Sequence, residues 1–291
     1  ESAPVPASPA ARKMARTRGV DLAEIEPTGK DGQVVVDDVK AAAPTQDAGG
    51  GQTAEEDIFG PVKRRRMSSI RAATAKAMAR SWQEIPQVVH EDEADITELE
   101  LWRRRQGDDA PTMTPIVAKA AAVVLRDHPR FNAMLDTETD EIVLKQYRNI
   151  NLAVATDRGL VTPVVRGVDD KSVRELAREM EELSEKAREK KLEKSDISSG
   201  TFTITNIGGI GGRGLAPLIN PPQTAILGLA RARAEPVATG ELGECAIPET
   251  RMMLPLVVAF DHRVIDGADA ARFTNDLVAL LADPVSLAMT T

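Results

Sequence analysis

The chain has 291 residues, 42% apolar and 28% charged, with only 3% aromatic. That length exceeds one small core and suits one large domain with a smaller companion. A formal net charge of −8 argues against a nucleic-acid binder, and no apolar run approaches the roughly 20 residues of a membrane span.

The opening ESAPVPASPA is rich in Ala, Pro and Ser and reads as linker over residues 1–7, the tail of a longer chain. Residues 8–43 then carry two short helices. Ser8 caps the first, Pro9 takes its first turn and Gly19 closes it; the second starts near Val36 with Asp37 and Asp38 in its first turn. A glycine loop, Pro27 to Gly32, joins them. A second linker, residues 44–60, holds Gly49 to Gly51.

Residues 61–291 read as one α/β domain with a mixed sheet. Helices are expected over 68–83, with Ile70, Thr74, Ala77 and Met78 on a buried face, over 114–127, over 169–193 and from Gly267 to Ala282. Strands are expected in VVHEDEADI and at 142–144, 149–156, 160–165, 200–206, 224–232 and 252–261. The lone cysteine, Cys245, excludes an intrachain disulfide, suits a reducing compartment and reads as a bystander thiol.

Of the three histidines, His128 precedes Pro129 at a helix end and reads as a capping or surface residue, and His90 in the acidic run HEDEAD reads as solvated or interfacial. His262 is different. It follows the apolar strand MMLPLVVAF and precedes Asp266 and Gly267 at a helix start, which places a base at the margin of a sheet; Gly267 permits a tight turn and Asp266 can anchor it. No Cys/His cluster suggests a metal.

The string His262-Arg263-Val264-Ile265-Asp266-Gly267 matches the His-x-x-x-Asp-Gly signature shared by dihydrolipoamide acyltransferases and chloramphenicol acetyltransferases. DHRVIDGADAARF, GTFTITNIGGIGGRGLAPLINPPQTAILGLA, RRRMSSIRAATAKAMARSWQEIP and NLAVATDRGLVTPVV resemble the dihydrolipoamide acyltransferases specifically, and residues 8–43 are similar to their peripheral subunit-binding domain. The resemblance implies a chloramphenicol-acetyltransferase-like α/β fold, a trimer assembled into a larger core, and acyl transfer from a dihydrolipoyl arm to coenzyme A within a 2-oxo-acid dehydrogenase complex such as pyruvate dehydrogenase. The lipoyl group would sit on a separate or missing N-terminal domain. The setting would be cytoplasmic, or the mitochondrial matrix.

In that reading His262 deprotonates the CoA thiol. Thiols ordinarily titrate near 8.5 and are mostly protonated at neutral pH, and histidine is suited to take the proton. Thr205, where the family commonly has serine, donates its hydroxyl to the tetrahedral oxyanion, in a site shared between neighbouring subunits. A strand position chosen for β-propensity is the other reading of Thr205. Asn206 is a candidate CoA contact, and Asp266 supports the histidine loop in an ion pair with Arg71. Arg12, Lys13 and Arg16 match the basic residues that grip the decarboxylase/dehydrogenase component and dihydrolipoamide dehydrogenase, and Thr28, Gly29 and Asp38 look like keepers of the small fold. Two departures stand out: Gln33, where arginine is usual, and Gln87, where histidine is frequent. The alternatives are a non-catalytic binding subunit of such a complex, which tends to lack the catalytic histidine, and a stand-alone CoA-dependent acetyltransferase, which would lack the small domain. Acetyl, succinyl and branched-chain acyl groups all stay open.

Overall fold

The computed structural model describes residues 5–18, 20–42, 54–238 and 247–290. Gly19, Gly49 to Gly51 and Cys245 lie outside them. The chain divides into two compact units, Glu1–Met67 and Ser68–Thr291.

In the first unit, α1 (Pro9–Arg18) and α2 (Val36–Ala42) bury Ala7, Ala11, Ala15, Ile25, Val34 and Val39 against one another. The Ser8 hydroxyl accepts from Ala11 N–H, the cap expected of it. So small a core leans on its polar anchors. Asp38 is the main one: its carboxylate accepts from Thr28 N–H (3.1 Å), Val35 N–H (2.9 Å) and the Thr28 hydroxyl. Gly29 has no room for a side chain, because a Cβ there would lie 2.3 Å from the Gln33 carbonyl oxygen. A hairpin of β1 (Ala54–Asp57) and β2 (Gly60–Lys63) follows.

The Thr28 hydroxyl, then the Val35 and Thr28 N–H groups, hold the Asp38 carboxyl below its ordinary value of 3.8. A depressed folded pKa adds stability that is complete above the unfolded value and disappears as pH falls through the folded one. The helical signal of residues 5–42 is therefore expected to melt cooperatively as pH drops below about 4, and Asp38→Asn to weaken that acid transition. Circular dichroism of the Asp38→Asn chain from pH 7 to 2 measures both.

The second unit is built on a seven-stranded mixed sheet. Its elements in chain order are α3 (Ser69–Glu84), β3 (Gln87–Asp95), α4 (Thr97–Arg105), α5 (Met113–Asp127), β4 (Ala133–Asp136), β5 (Glu141–Leu144), β6 (Ile150–Leu152), β7 (Val154–Thr156), β8 (Gly159–Val161), β9 (Val164–Val165), α6 (Val173–Arg188), β10 (Phe202–Asn206), β11 (Ala225–Leu229), β12 (Arg233–Val237), β13 (Glu249–Asp261), α7 (Gly267–Ala282) and α8 (Pro284–Ala288). The sheet order is β12-β13-β11-β10-β6-β9, with β3 along the free side of β13. β10 runs parallel to both β6 and β11; β13 is antiparallel to β11, β12 and β3.

Alternation puts Phe202 and Ile204 of β10, and Leu254, Leu256, Val258 and Phe260 of β13, on the face covered by helices. Phe273, Leu277 and Leu281 repeat at helical spacing on α7 and fill that layer. Lys119 of α5 is fully buried there; its ammonium donates to the Asp169 carbonyl (2.9 Å), and burial pushes its pKa down.

Several expected elements differ. The strand expected over 149–156 breaks into β6 and β7 at Ala153, whose N–H turns to the Ile204 carbonyl. The strand expected over 160–165 likewise splits into β8 and β9. The charged helix is shorter than 169–193, because Ser172 and Glu175 form a reciprocal capping box that starts it at Val173. On α3, Ile70, Thr74, Ala77 and Met78 are only half-buried, and Ser81 is the buried residue.

Candidate active site

β13 ends at Asp261 and α7 begins at Gly267, so His262 stands in the turn between them, at the end of the sheet as expected. Its backbone N–H donates to the Pro86 carbonyl (3.1 Å), and its ring lies 5.8 Å from that of Phe260. The side chain is exposed in the isolated chain, with no hydrogen-bond partner among the described residues.

The grip on this turn comes from a pair that sequence reasoning missed. Asp261 is 2% exposed, and its carboxylate accepts from the Arg263 N–H (3.0 Å), Nε (2.9 Å) and Nη2 (2.7 Å). Its carbonyl accepts from Val264 and Ile265 N–H. The hydrogen bond to Asp261 raises the Arg263 pKa, with Glu84 adding to it. His262 thus sits between two residues locked to each other, with its imidazole left free.

Asp266 and Gly267 do less than expected. Asp266 occupies the cap position of α7 but its carboxylate bonds no helix N–H; only its carbonyl does so, from Ala270 N–H. Gly267 has no left-handed backbone, and a Cβ there would meet nothing. Arg71 and Asp266 form no ion pair within the described residues. Both are exposed, and the Arg71 guanidinium lies instead beside Gly159.

Thr205 is half-buried near the end of β10, and its hydroxyl has no partner among the described residues. The next residue, Asn206, is already engaged at both ends of its amide: Nδ2 donates to the Thr114 hydroxyl (3.0 Å) and Oδ1 accepts from Gly208 N–H (2.7 Å). Its role is first to hold the NIGG turn. It borders two clefts, one of about 450 Å³ against Glu100, Arg103 and Met252, the other of about 290 Å³ against Thr114, Met180 and Ser184.

The strand register sets the distance between the two candidate catalytic groups. Thr205 lies opposite Gly228, and Gly228 opposite Val257. His262 is five residues past Val257, about 17 Å along the strand and, with two strand spacings of about 4.8 Å, roughly 20 Å from Thr205. Within one chain the two stand near opposite ends of the sheet.

The other two histidines lie elsewhere in the fold. His128 Nε2 lies 2.7 Å from the Asp276 carboxylate, with its ring edge-on to Phe131 and Phe273. His90 is half-buried opposite Val258, its Nε2 enclosed without a partner among the described residues, so it is less solvated than its acidic neighbours suggested. In the small unit, Arg12 is partly used internally, donating to the carbonyls of Ala7 and Val5, whereas Lys13 and Arg16 are exposed without side-chain partners among the described residues. No group of side chains suited to a metal occurs among the described residues, and no described helix is long and apolar enough to cross a membrane.

Comparison with known proteins agrees with this architecture. The acetyltransferase component of the pyruvate dehydrogenase complex of Haemophilus influenzae is 38% identical over 314 residues, covering 97% of this chain and 54% of that protein. The chain spans about half the length of the first curated relatives it matches. The solved dihydrolipoamide acetyltransferase of Azotobacter vinelandii superposes with a TM-score of 0.75 at 40% identity, covering 79% of this chain and 95% of that one. One serine, one histidine and one asparagine of that enzyme have been investigated for catalytic roles, the last two lying four positions apart. The cubic core of a pyruvate dehydrogenase multienzyme complex gives 0.74 at 40% identity, over 79% of this chain and 95% of that one. The e3 binding domain matches residues 5–40, and the catalytic domain of the 2-oxoacid dehydrogenases acyltransferases matches residues 59–289. On these grounds the chain belongs to the 2-oxoacid dehydrogenase acyltransferase family.

Proposed function

We propose that this chain transfers an acyl group between a dihydrolipoyl arm and coenzyme A, at a site completed by a second copy of itself. The observation that carries the reading is a pair of groups without partners among the described residues, the His262 imidazole and the Thr205 hydroxyl, each at a sheet end but roughly 20 Å apart in one chain. The imidazole removes the CoA thiol proton and the thiolate adds to the acyl-lipoyl thioester carbon. The Thr205 hydroxyl donates to the resulting oxyanion. Collapse breaks the bond to the dihydrolipoyl sulfur, which leaves with the proton from the imidazolium.

The four-residue spacing of the histidine and asparagine studied in the Azotobacter enzyme is the spacing of His262 and Asp266 here, which supports a place for both in the site. Asp266 touches the loop only through its carbonyl, which accepts from Ala270 N–H, and is not the base. The acetyltransferase names of the relatives favour acetyl as the acyl group. A cubic particle requires threefold axes, which supports a trimer as its building block. The half-buried face of α3 and the exposed Trp82, Val88 and Val89 near His262 give that trimer apolar surface to cover. Residues 8–43 would bind dihydrolipoamide dehydrogenase through Lys13 and Arg16, with Arg12 in a supporting part, and the decarboxylase component would be the other partner. The bacterial relatives favour a cytoplasmic setting.

Thioester formation from acetyl-CoA and dihydrolipoamide tests the reading. Thr205→Ala is expected to lower kcat by about 10²–10³-fold, and Thr205→Ser to keep it near wild type. A Thr205→Ala enzyme within threefold of wild type, by stopped assay at saturating substrates, rejects the oxyanion role.

A further inference from the structure

An oxyanion donor helps only if its hydrogen points to where charge develops, and a displacement of about 1 Å can lower the rate 10²-fold. Thr205 is paired unevenly on its two sides. β6 accompanies β10 only from Phe202 to Ile204, so at Thr205 the ladder continues on one side alone, against Gly228 of β11. Asn206 fixes the strand just after Thr205, through Thr114 and Gly208, and a second set of contacts lies just before it.

Three side chains meet there. Thr203 and Asn151 are direct cross-strand partners, so their side chains share a face of the sheet, the same face as Thr205 two residues on. Gln223, just ahead of β11, reaches across to both. The Thr203 hydroxyl donates to Gln223 Oε1 (2.5 Å), Gln223 Nε2 donates to Asn151 Oδ1 (2.7 Å), and Asn151 Nδ2 donates to the Thr162 carbonyl (3.3 Å). All are buried, at 2% exposure for Thr203, 4% for Gln223 and 3% for Asn151. The chain of bonds runs in one direction, and breaking any link strands a buried polar atom. The neighbouring backbone makes room for it: a Cβ on Gly200 would sit 1.7 Å from Asn151 Oδ1.

We propose that Gln223, with Thr203 and Asn151, is a positioning residue that ties β10 to β6 and to the segment before β11 and so fixes where the Thr205 hydroxyl points. The proposal rests on Thr205 being the oxyanion donor. None of the three touches the reacting atoms; they act through the strand.

The test uses the full chain with acetyl-CoA and dihydrolipoamide. Thr203→Val keeps the shape and removes the donor. It is expected to lower kcat about 10-fold to 100-fold with KM for both substrates within twofold of wild type, and Thr203→Ser to restore kcat. Gln223→Met breaks the same chain from its middle and is expected to show the same split. In a Thr205→Ala background, Thr203→Val is expected to cause no further fall in kcat. Wild-type kcat in Thr203→Val or Gln223→Met overturns the proposal, as does a fall of equal size with and without Thr205. Wild-type kcat in Thr205→Ala alone rejects the donor reading itself and removes the proposal with it.

Discussion

His262→Ala is expected to lower kcat by about 10²–10⁴-fold, the range for losing a positioned general base, with KM for acetyl-CoA little changed. The size follows from the absence of a substitute. His128 is committed to Asp276 and His90 is enclosed on β3, so neither can reach the thiol. The single cysteine lies outside the described residues, and the reaction as derived needs no nucleophile from the protein. The Asp261–Arg263 pair and the Pro86 carbonyl hold the turn by contacts that do not involve the imidazole, so the alanine variant should fold and assemble. Steady-state kinetics with a matched thermal melt decides it. Residual kcat above a tenth of wild type, with an unchanged melt, would show that another group takes the proton.

How much of this was legible in the sequence depends on the range of the interactions. The turn carrying His262 was readable because an apolar strand, a short polar break and a helix with Phe273, Leu277 and Leu281 in register are all local patterns. α4 was missed because TELELWRRR buries only Leu99 and looks like a solvated run. β12 was missed because Glu235 and Pro236 sit in an edge strand where such residues are tolerated. The buried face expected of α3 is only half-buried, because helical spacing marks a face without saying what packs on it. The Asp261–Arg263 grip had a signal, the acid and base flanking the histidine, yet nothing local says that Arg263 folds back on Asp261. The Gln223–Asn151 bond joins residues 72 positions apart and had no signal at all. Gln87, noted only as a departure, turns out to clamp the Ile219 backbone: its Oε1 accepts from Ile219 N–H (2.8 Å), while Ser81 donates to the Ile219 carbonyl (2.7 Å).

Co-assembling two inactive variants is expected to restore activity. The base must come within about 3 Å of the attacking sulfur and the donor within about 3 Å of the oxyanion on the carbon it attacks, which His262 and Thr205 of one chain, roughly 20 Å apart by strand register, do not satisfy. If each site takes its imidazole from one copy and its hydroxyl from the next around a closed ring, His262→Ala chains and Thr205→Ala chains complement each other. Co-expressed in equal amounts with different tags, they assemble at random. A site is intact when its imidazole comes from a Thr205→Ala chain and its hydroxyl from a His262→Ala chain, so about a quarter of sites regain both groups. Doubly tagged particles should then show about a quarter of wild-type kcat per chain, far above either parent. A site built within one chain predicts only the average of the two parents, because every chain then lacks one group wherever it sits. Recovery also depends on subunit contact, so parents mixed after assembly, with no exchange of chains, should stay at parental rates until the particles are dissociated and reassembled together.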